Sequence, residues 1–339
     1  MSRLRVVQWT TGRTGSAAVR AMVRHPLLEI VGCYAWSADK VGRDVGELCG
    51  IEPIGVEATD DIDALLALRP DCVTYLPYRP DIDHVVRILE SGCNLVSTMY
   101  MLSGTGYGDE AAARIADAAR RGGSSLYTSG VYPGHMPMVA LAASAMCERI
   151  DQISVLESLD MSGYANEKMF RSMGIDCEPD DPAAAVATEA SCGSFKDQVR
   201  MMAHALGIEL DAVEFRAEFA TADEELDFGY MTVQRGRIAG IKGTIAGVRD
   251  GRSVIECRSV WKMGDGRMTP NWPQTNGYVI EIVGSPAFEC RISPTHGHLD
   301  GAVTTALPVV NAIPAVVAAA PGIVNHGTLP LVTGAHLVG

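Results

Sequence analysis

An α/β chain is predicted, with a doubly wound parallel sheet in its amino-terminal part and an α+β part, built on a mostly antiparallel sheet, behind it. Three observations predict this. The chain opens on a strand-to-helix turn with two closely spaced glycines, Gly12 and Gly15. Strand and helix patterns then alternate as far as Met146, the grammar of βαβ units. From about Gln152, strand patterns joined by glycine turns such as Asp250-Gly251 take over. A length of 339 residues also exceeds what one hydrophobic core supports. The domains are therefore placed at 1–148 and 149–300, with a helix and tail over 301–339 that pack back on the first.

Each element has its own reason. Val6, Val7 and Trp9 make the first strand, which stops at Thr10. Gly12 lets the backbone approach a pyrophosphate, and Gly15 lets the following helix pack close to the strand. The helix then turns N–H groups and the positive end of its dipole toward the anion. Thr10 stands where the G-x-G-x-x-G pattern has its first glycine, and an ordinary βα turn would read the same way. Further strands are expected at 29–36, 71–76, 94–98 and 125–129. Helices are expected at 62–68 behind the cap Thr59-Asp60-Asp61, and at 81–89, 110–119 and 136–146. In a parallel sheet ligands lie outside the carboxyl ends of the strands. Segments 10–15, 37–40, 76–80, 98–102 and 130–135 should therefore share one edge. In the second part, strands are expected at 152–159, 213–220, 230–235, 238–248, 253–261 and 278–283, with helical stretches over 182–206 and 301–319.

Composition excludes several classes. A net charge of −13 opposes nucleic acid and anionic membranes, which both require a basic face. The chain runs into its first strand without an apolar leader, and the longest apolar stretch is interrupted by Pro314, so a cytoplasmic location is expected. Nine scattered cysteines without a C-x-x-C read as small buried hydrophobes, not as a metal site or disulfide frame. His296 and His298 form the one histidine pair; no carboxylate cluster accompanies them apart from Asp300, and they read as loop residues.

The motifs together resemble the dihydrodipicolinate-reductase-like oxidoreductases, within them the branch of 2,4-diaminopentanoate dehydrogenase and the native amine dehydrogenases. The resemblance spans nearly the whole chain. It rests on the loop 10–18, on Lys40-Val41-Gly42-Arg43-Asp44-Val45-Gly46-Glu47, on Gly130-Val131-Tyr132-Pro133-Gly134, on Thr269-Pro270-Asn271-Trp272-Pro273, and on Asn311-Ala312-Ile313-Pro314 with Ala320-Pro321-Gly322-Ile323. It implies an N-terminal Rossmann domain, a C-terminal α+β domain that shapes the substrate pocket and a homodimer, and NAD(P)H-dependent reduction of a C=N bond or its reverse on an amine. One departure concerns the chemistry. Where the amine dehydrogenase branch carries a glutamate that acts on ammonia, this chain has Met99-Tyr100-Met101-Leu102; Glu110, the next acid, falls in the following helix. Tyr132 likewise replaces the asparagine of an N-P-G turn.

Cofactor contacts are expected from Thr10, Gly12, Arg13, Thr14 and Gly15 around the pyrophosphate, from Leu76 and Pro77 at a ribose or the adenine, and from Thr98 and Tyr132 near the nicotinamide. An NAD enzyme places an acid about 20 residues beyond its glycines. Here that region reads Trp36-Ser37-Ala38-Asp39, followed by Lys40. Ser37 does not repel a 2′-phosphate, whereas Asp39 can, and Arg13 and Lys40 attract one; on that balance NADP is favoured over NAD, with Lys40 as a solvated loop charge the competing reading. Tyr100 and His135 are the candidate proton donors. Ring packing competes for Tyr100, and helix capping for His135. The resemblance adds Asp160 and Tyr164 as pocket residues, and a cap on a helix over 163–170 competes for Asp160. Met101 and Met169 join them as apolar walls suited to a small ketone, imine or amine. A cofactor-binding protein without turnover, a redox sensor or assembly partner, is the alternative from another class.

Overall fold

The computed structural model describes residues 2–338 except Thr105 and His298, and Ser194 by its backbone alone. Two units form: one runs up to His135 and resumes at Asp300, and the other spans Met136–Leu299. The expected boundary at 148 moves back to His135 because the helix α6 (Met136–Ser144) packs on strands of the second unit.

The first unit follows the predicted alternation. It runs β1 (Leu4–Trp9), α1 (Arg13–Arg24), β2 (Leu28–Tyr34), α2 (Val45–Leu48), β3 (Ala58–Thr59), α3 (Ile62–Ala67), β4 (Cys72–Tyr75), α4 (Ile82–Glu90), β5 (Asn94–Ser97), α5 (Asp109–Gly122) and β6 (Ser125–Thr128). Aspartates start the helices: Asp61 accepts the N–H of Ala64, and Asp81 those of Asp83 and His84. The chain returns after the second unit as α10 (Gly301–Val317) and β16 (Gly322–Val324). All pairings are parallel, in the order β3-β2-β1-β4-β5-β6-β16. β1 is an inner strand, and the order reverses beside it, which is the switch point where a doubly wound sheet binds its ligand. Three-residue β16 has no counterpart in the sequence reading. α10 passes through Pro308 and Pro314, and its Val309, Val310, Ile313 and Val316 are buried in one cluster with Val19 and Met22 of α1. Burial of this face holds a helix that its prolines alone would break. The Lys40–Glu47 motif has a structural role here: Asp44 caps α2 and also accepts the N–H groups of Ile54 and Gly55.

The second unit contains β7 (Arg149–Asp160), α7 (Glu167–Met173), α8 (Pro182–Cys192), α9 (Ser194–Ala205), β8 (Ala212–Ala222), β9 (Leu226–Asp227), β10 (Thr232–Val233), β11 (Ile238–Arg249), β12 (Arg252–Lys262), β13 (Met268–Thr269), β14 (Gly277–Ser285) and β15 (Phe288–Ile292). Seven strands form a sheet ordered β13-β8-β11-β12-β7-β14-β15, antiparallel except at β12 and β7. Asp250 and Gly251, both at positive φ, turn β11 into β12. The helical stretch over 182–206 divides at Gly193, and the strand expected over 230–235 shrinks to β10, paired with β9. Lys262 is fully buried, with its ammonium bonded to Asp265, to Asn271 Oδ1 at 2.5 Å and to the Trp272 carbonyl at 2.8 Å. The Thr269–Pro273 motif is thus a loop fixed by a buried lysine whose charge is fully partnered.

Candidate functional site

A parallel sheet brings all its strand carboxyl ends to one edge, and the first unit therefore gathers the predicted segments there. At β1 the backbone of Thr10 takes φ 73°, the left-handed conformation that the first glycine of the pattern normally fills. Holding a threonine there costs about 1–2 kcal/mol. The Thr10 N–H donates to the Tyr34 carbonyl at 3.0 Å, and its hydroxyl reaches the Leu76 carbonyl at 3.4 Å, so the loop is tied to the ends of β2 and β4. Gly12 begins α1 without a side-chain cap, and a Cβ built on it meets nothing within 4 Å. A Cβ on Gly15 would lie 2.2 Å from the Thr10 carbonyl oxygen. Gly12 thus leaves room in front of a helix N-terminus, and Gly15 makes the close approach; both features fit a dinucleotide pyrophosphate. Arg13 is exposed and Thr14 half-buried on the first turn.

After β2, the Lys40 ammonium turns back to the glycine loop, 3.2 Å from Thr11 Oγ1 and 3.4 Å from the Thr11 carbonyl. Ser37 donates to the Asp39 carboxylate, and this bond, ahead of the charges of Lys40 and Arg43, holds that acid below its usual range. Two cations, Lys40 and Arg43, accordingly surround one anion on this turn. Trp36 is 76% exposed two residues beyond the same strand, and Tyr78 is 84% exposed just beyond the buried Leu76 and half-buried Pro77. Large aromatic rings held in water at a ligand-binding edge are surfaces for a flat partner. Sequence reading passed over Trp36, because exposure is not written in the residue.

Further along the edge, the Ser97 hydroxyl donates to the Tyr75 carbonyl at 2.6 Å and accepts the N–H of Met99, which fixes half-buried Thr98 between them. Tyr100 is half-exposed and lies flat on Tyr107, with ring centroids 6.4 Å apart and planes at 8°. Met101 is a correction: it is buried in the core of the first unit and presents no wall to a substrate. Glu110 is in the first turn of α5, and no acid occurs between Glu90 and Asp109. Tyr132 is buried on the turn after β6, where Gly134 takes φ 129° against Ser129. His135 ends that turn. Its N–H donates to the Gly130 carbonyl at 2.8 Å, its Nδ1 is enclosed without a hydrogen-bond partner among the described residues, and burial lowers its pKa. His326, unnoticed in the sequence, also belongs to this unit; its Nδ1 is 2.9 Å from Tyr127 Oη.

Asp160, Tyr164 and Met169 lie in the second unit. Asp160 accepts the N–H groups of Ser162 and Gly264, so it closes the turn after β7; the helix α7 starts later than expected and is capped by Asn166. The Tyr164 ring meets Phe170 edge-on at 6.4 Å, and Tyr164 and Met169 are half-buried against a core rich in methionine and aromatic residues. His296 is exposed on a loop, and His298 lies outside the described residues. No group of three metal-ligating side chains occurs among the described residues, and none of their helices is long and apolar enough to cross a membrane.

Comparison with known proteins agrees with this architecture. Residues 6–126 match the family of the dihydrodipicolinate reductase N-terminus, and residues 135–337 match the 2,4-diaminopentanoate dehydrogenase C-terminal domain. The chain is 32% identical to an amine dehydrogenase of Streptomyces virginiae over 96% of each chain. It is 24% identical to the 2,4-diaminopentanoate dehydrogenase of Acetoanaerobium sticklandii, over 98% of this chain and 94% of the other. Its fold is similar to that of the amine dehydrogenase from Mycobacterium smegmatis, with a TM-score of 0.77 at 20% identity, covering 98% of this chain and 97% of that one.

Proposed function

We propose a reaction for this chain, which belongs to the 2,4-diaminopentanoate dehydrogenase and amine dehydrogenase branch of the dihydrodipicolinate-reductase-like oxidoreductases: NADPH-dependent reduction of a C=N or C=O bond in a small apolar ketone or imine, or the reverse on an amine, without a need for ammonia. The observation that carries the last clause is the stretch 91–108, which contains β5 and the loop that follows it and has no acid to take a proton from ammonium. Bound reduced nicotinamide supplies the hydride equivalent. The chain's own residues do the rest. Gly12, Arg13, Thr14 and Gly15 hold the pyrophosphate at the start of α1. Thr10, Leu76, Pro77, Thr98 and Tyr132 orient the two nucleoside halves, and Trp36 offers a face to the adenine. His135 serves the substrate heteroatom, with Tyr100 as the competing donor. Asp160 is retained as a turn residue that orients Tyr164 and Met169, two residues we assign to substrate walls. A homodimer in the cytoplasm completes the reading, and light scattering at micromolar protein would return the mass of one chain if the dimer assignment is wrong.

The test is NADPH consumption with cyclic and aliphatic ketones and preformed imines, with and without ammonium. Turnover that does not depend on ammonium is expected. Strict dependence on ammonium would overturn the reading of the acid-free loop, and tight binding without turnover would favour the sensor alternative. The nucleotide preference has its own check. Lys40→Ala should weaken NADPH binding by about 2 kcal/mol, about thirtyfold, because one charge-assisted hydrogen bond to the 2′-phosphate is lost. NADH binding should stay unchanged. Equal losses for both nucleotides would place Lys40 at the pyrophosphate and remove the ground for NADP.

A further inference from the structure

The mixed sheet of the second unit ends on β15, which pairs with β14 on one side and has no strand on its other side among the described residues. Phe288, Cys290 and Ile292 share a face with the buried Tyr278, Ile280 and Ile282 of β14, yet all three are only half-buried. Glu289 and Arg291 project from the opposite face. Both are exposed, and they hold each other through two hydrogen bonds of 2.8 and 3.1 Å. An edge strand offers unpaired backbone N–H and C=O groups, and proteins usually blunt it with lysine, proline or a bulge. β15 has none of these: its register with β14 runs unbroken from Phe288 to Ile292, and its one acid and one base cancel. Prolines stand outside it instead, Pro286 four residues before Cys290 and Pro294 four residues after it.

We infer that β15 pairs antiparallel with β15 of a second copy of this chain, across a two-fold axis at Cys290. The occupant follows from the strand's own symmetry, because an isologous contact requires a surface complementary to itself. Reversal of the strand about Cys290 sets Glu289 against the partner's Arg291, Arg291 against the partner's Glu289, and Phe288 against the partner's Ile292. Apolar side chains thus meet apolar ones, and each charge meets its opposite. Other registers lose this match. A shift of one residue sets the charged row of one strand against the apolar row of the other. Moving the axis to Glu289 or to Arg291 brings like charges face to face and draws Pro286 or Pro294 into the paired stretch. With the axis at Cys290, each Arg291 lies between two carboxylates and the open edge disappears. The pairing sets axis and register, while surfaces beside it supply the rest of the area that a stable dimer buries. The inference rests on the homodimer reading above and names the strand that forms the contact.

The natural cysteine reports the axis. Directly opposed residues of an antiparallel pair have Cα atoms about 4.5–5.5 Å apart, within the span of a disulfide. Oxidation of the full-length protein with copper–phenanthroline should give a dimer band on a non-reducing gel, and Cys290→Ser should lose it. Charge reversal reads the register. Arg291→Glu and Glu289→Arg should each raise the dimer dissociation constant at least about tenfold in analytical ultracentrifugation. An equimolar mixture of the two should dimerise as tightly as the wild type, because a strand with two acids then meets a strand with two bases; that recovery also shows that both variants fold. A dimer that gives no Cys290 cross-link, or that neither reversal weakens, overturns the pairing and leaves the homodimer reading intact. A wild type that scatters light as one chain removes the homodimer reading itself.

Discussion

Alanine at Gly15 will destabilise the first unit and abolish NADPH binding, whereas alanine at Gly12 will abolish binding and leave the fold intact. A Cβ at position 15 would sit 2.2 Å from the Thr10 carbonyl oxygen and 3.1 Å from Gln8 Nε2. Both are fixed: Gln8 Nε2 already donates to that carbonyl at 2.8 Å, and Thr10 is tied by its N–H to β2. The helix must then lift from the strand, and overpacking of this kind costs about 1–3 kcal/mol. At position 12 the new methyl meets nothing within 4 Å, so the apo protein loses only the difference between glycine and alanine at an N-cap, about 1 kcal/mol. The same methyl fills the room through which phosphate oxygens approach the N–H groups of α1. Losing those charged contacts should raise the Kd for NADPH by at least about a hundredfold, or about 3 kcal/mol. Thermal unfolding of both variants with and without NADPH separates the two effects. NADPH protecting Gly12→Ala as well as the wild type would mean the pyrophosphate lies elsewhere.

This pair of glycines also marks how far the sequence could be read. The loop was legible because a strand that stops at Thr10 and a helix that starts behind Gly12 leave few alternative geometries, and the parallel order then sends every later strand end to the same edge. Local features without periodicity were not legible. Gly322–Val324 is three residues between Pro321 and Asn325, too short for any alternation, and becomes a strand only because β6 offers it an open edge. Residues 230–235 have strand-like composition, but only Thr232 and Val233 find a partner. Asp160 carries a capping residue type, but Asn166 caps the helix, because the chain first needs Asp160 to close the turn after β7. The glycine loop at the amino-terminal part of the candidate site was visible in the sequence, whereas the place of His326 was not: nothing in the sequence says that it returns beside Tyr127. Trp36 is the last residue of the expected strand 29–36 but lies beyond β2, and only its exposure makes it a surface.

The second large effect concerns stability in the other unit. Glu157, on the buried strand β7, accepts hydrogen bonds from Trp261 Nε1 at 2.8 Å and Tyr278 Oη at 3.0 Å. Burial nonetheless dominates and pushes its pKa from 4.5 up to about 7. The nearby groups answer in kind: the Cys192 thiol is raised to about 12, by burial and then by Glu157, and the Tyr278 hydroxyl is raised for the same two reasons. Because the folded chain holds this proton more tightly than the unfolded chain, Glu157 contributes its stability in full below pH 4.5, and that contribution is lost as pH rises through about 7. A shift of this size corresponds to about 3 kcal/mol. Glu157→Gln keeps the shape and mimics the protonated acid. Its carbonyl oxygen accepts from Trp261 Nε1, and its amide N–H donates to Tyr278 Oη, which turns acceptor. It has no proton to lose, so it should be more stable than the wild type above neutrality. The gap between the two proteins should close toward the acid end of the window. Urea titrations of both proteins across that range measure the difference directly, and other titrating groups cancel because they are shared. Parallel stability curves for wild type and Glu157→Gln would show that water or a structural adjustment relieves the carboxylate, and that the two donated hydrogen bonds outweigh its burial.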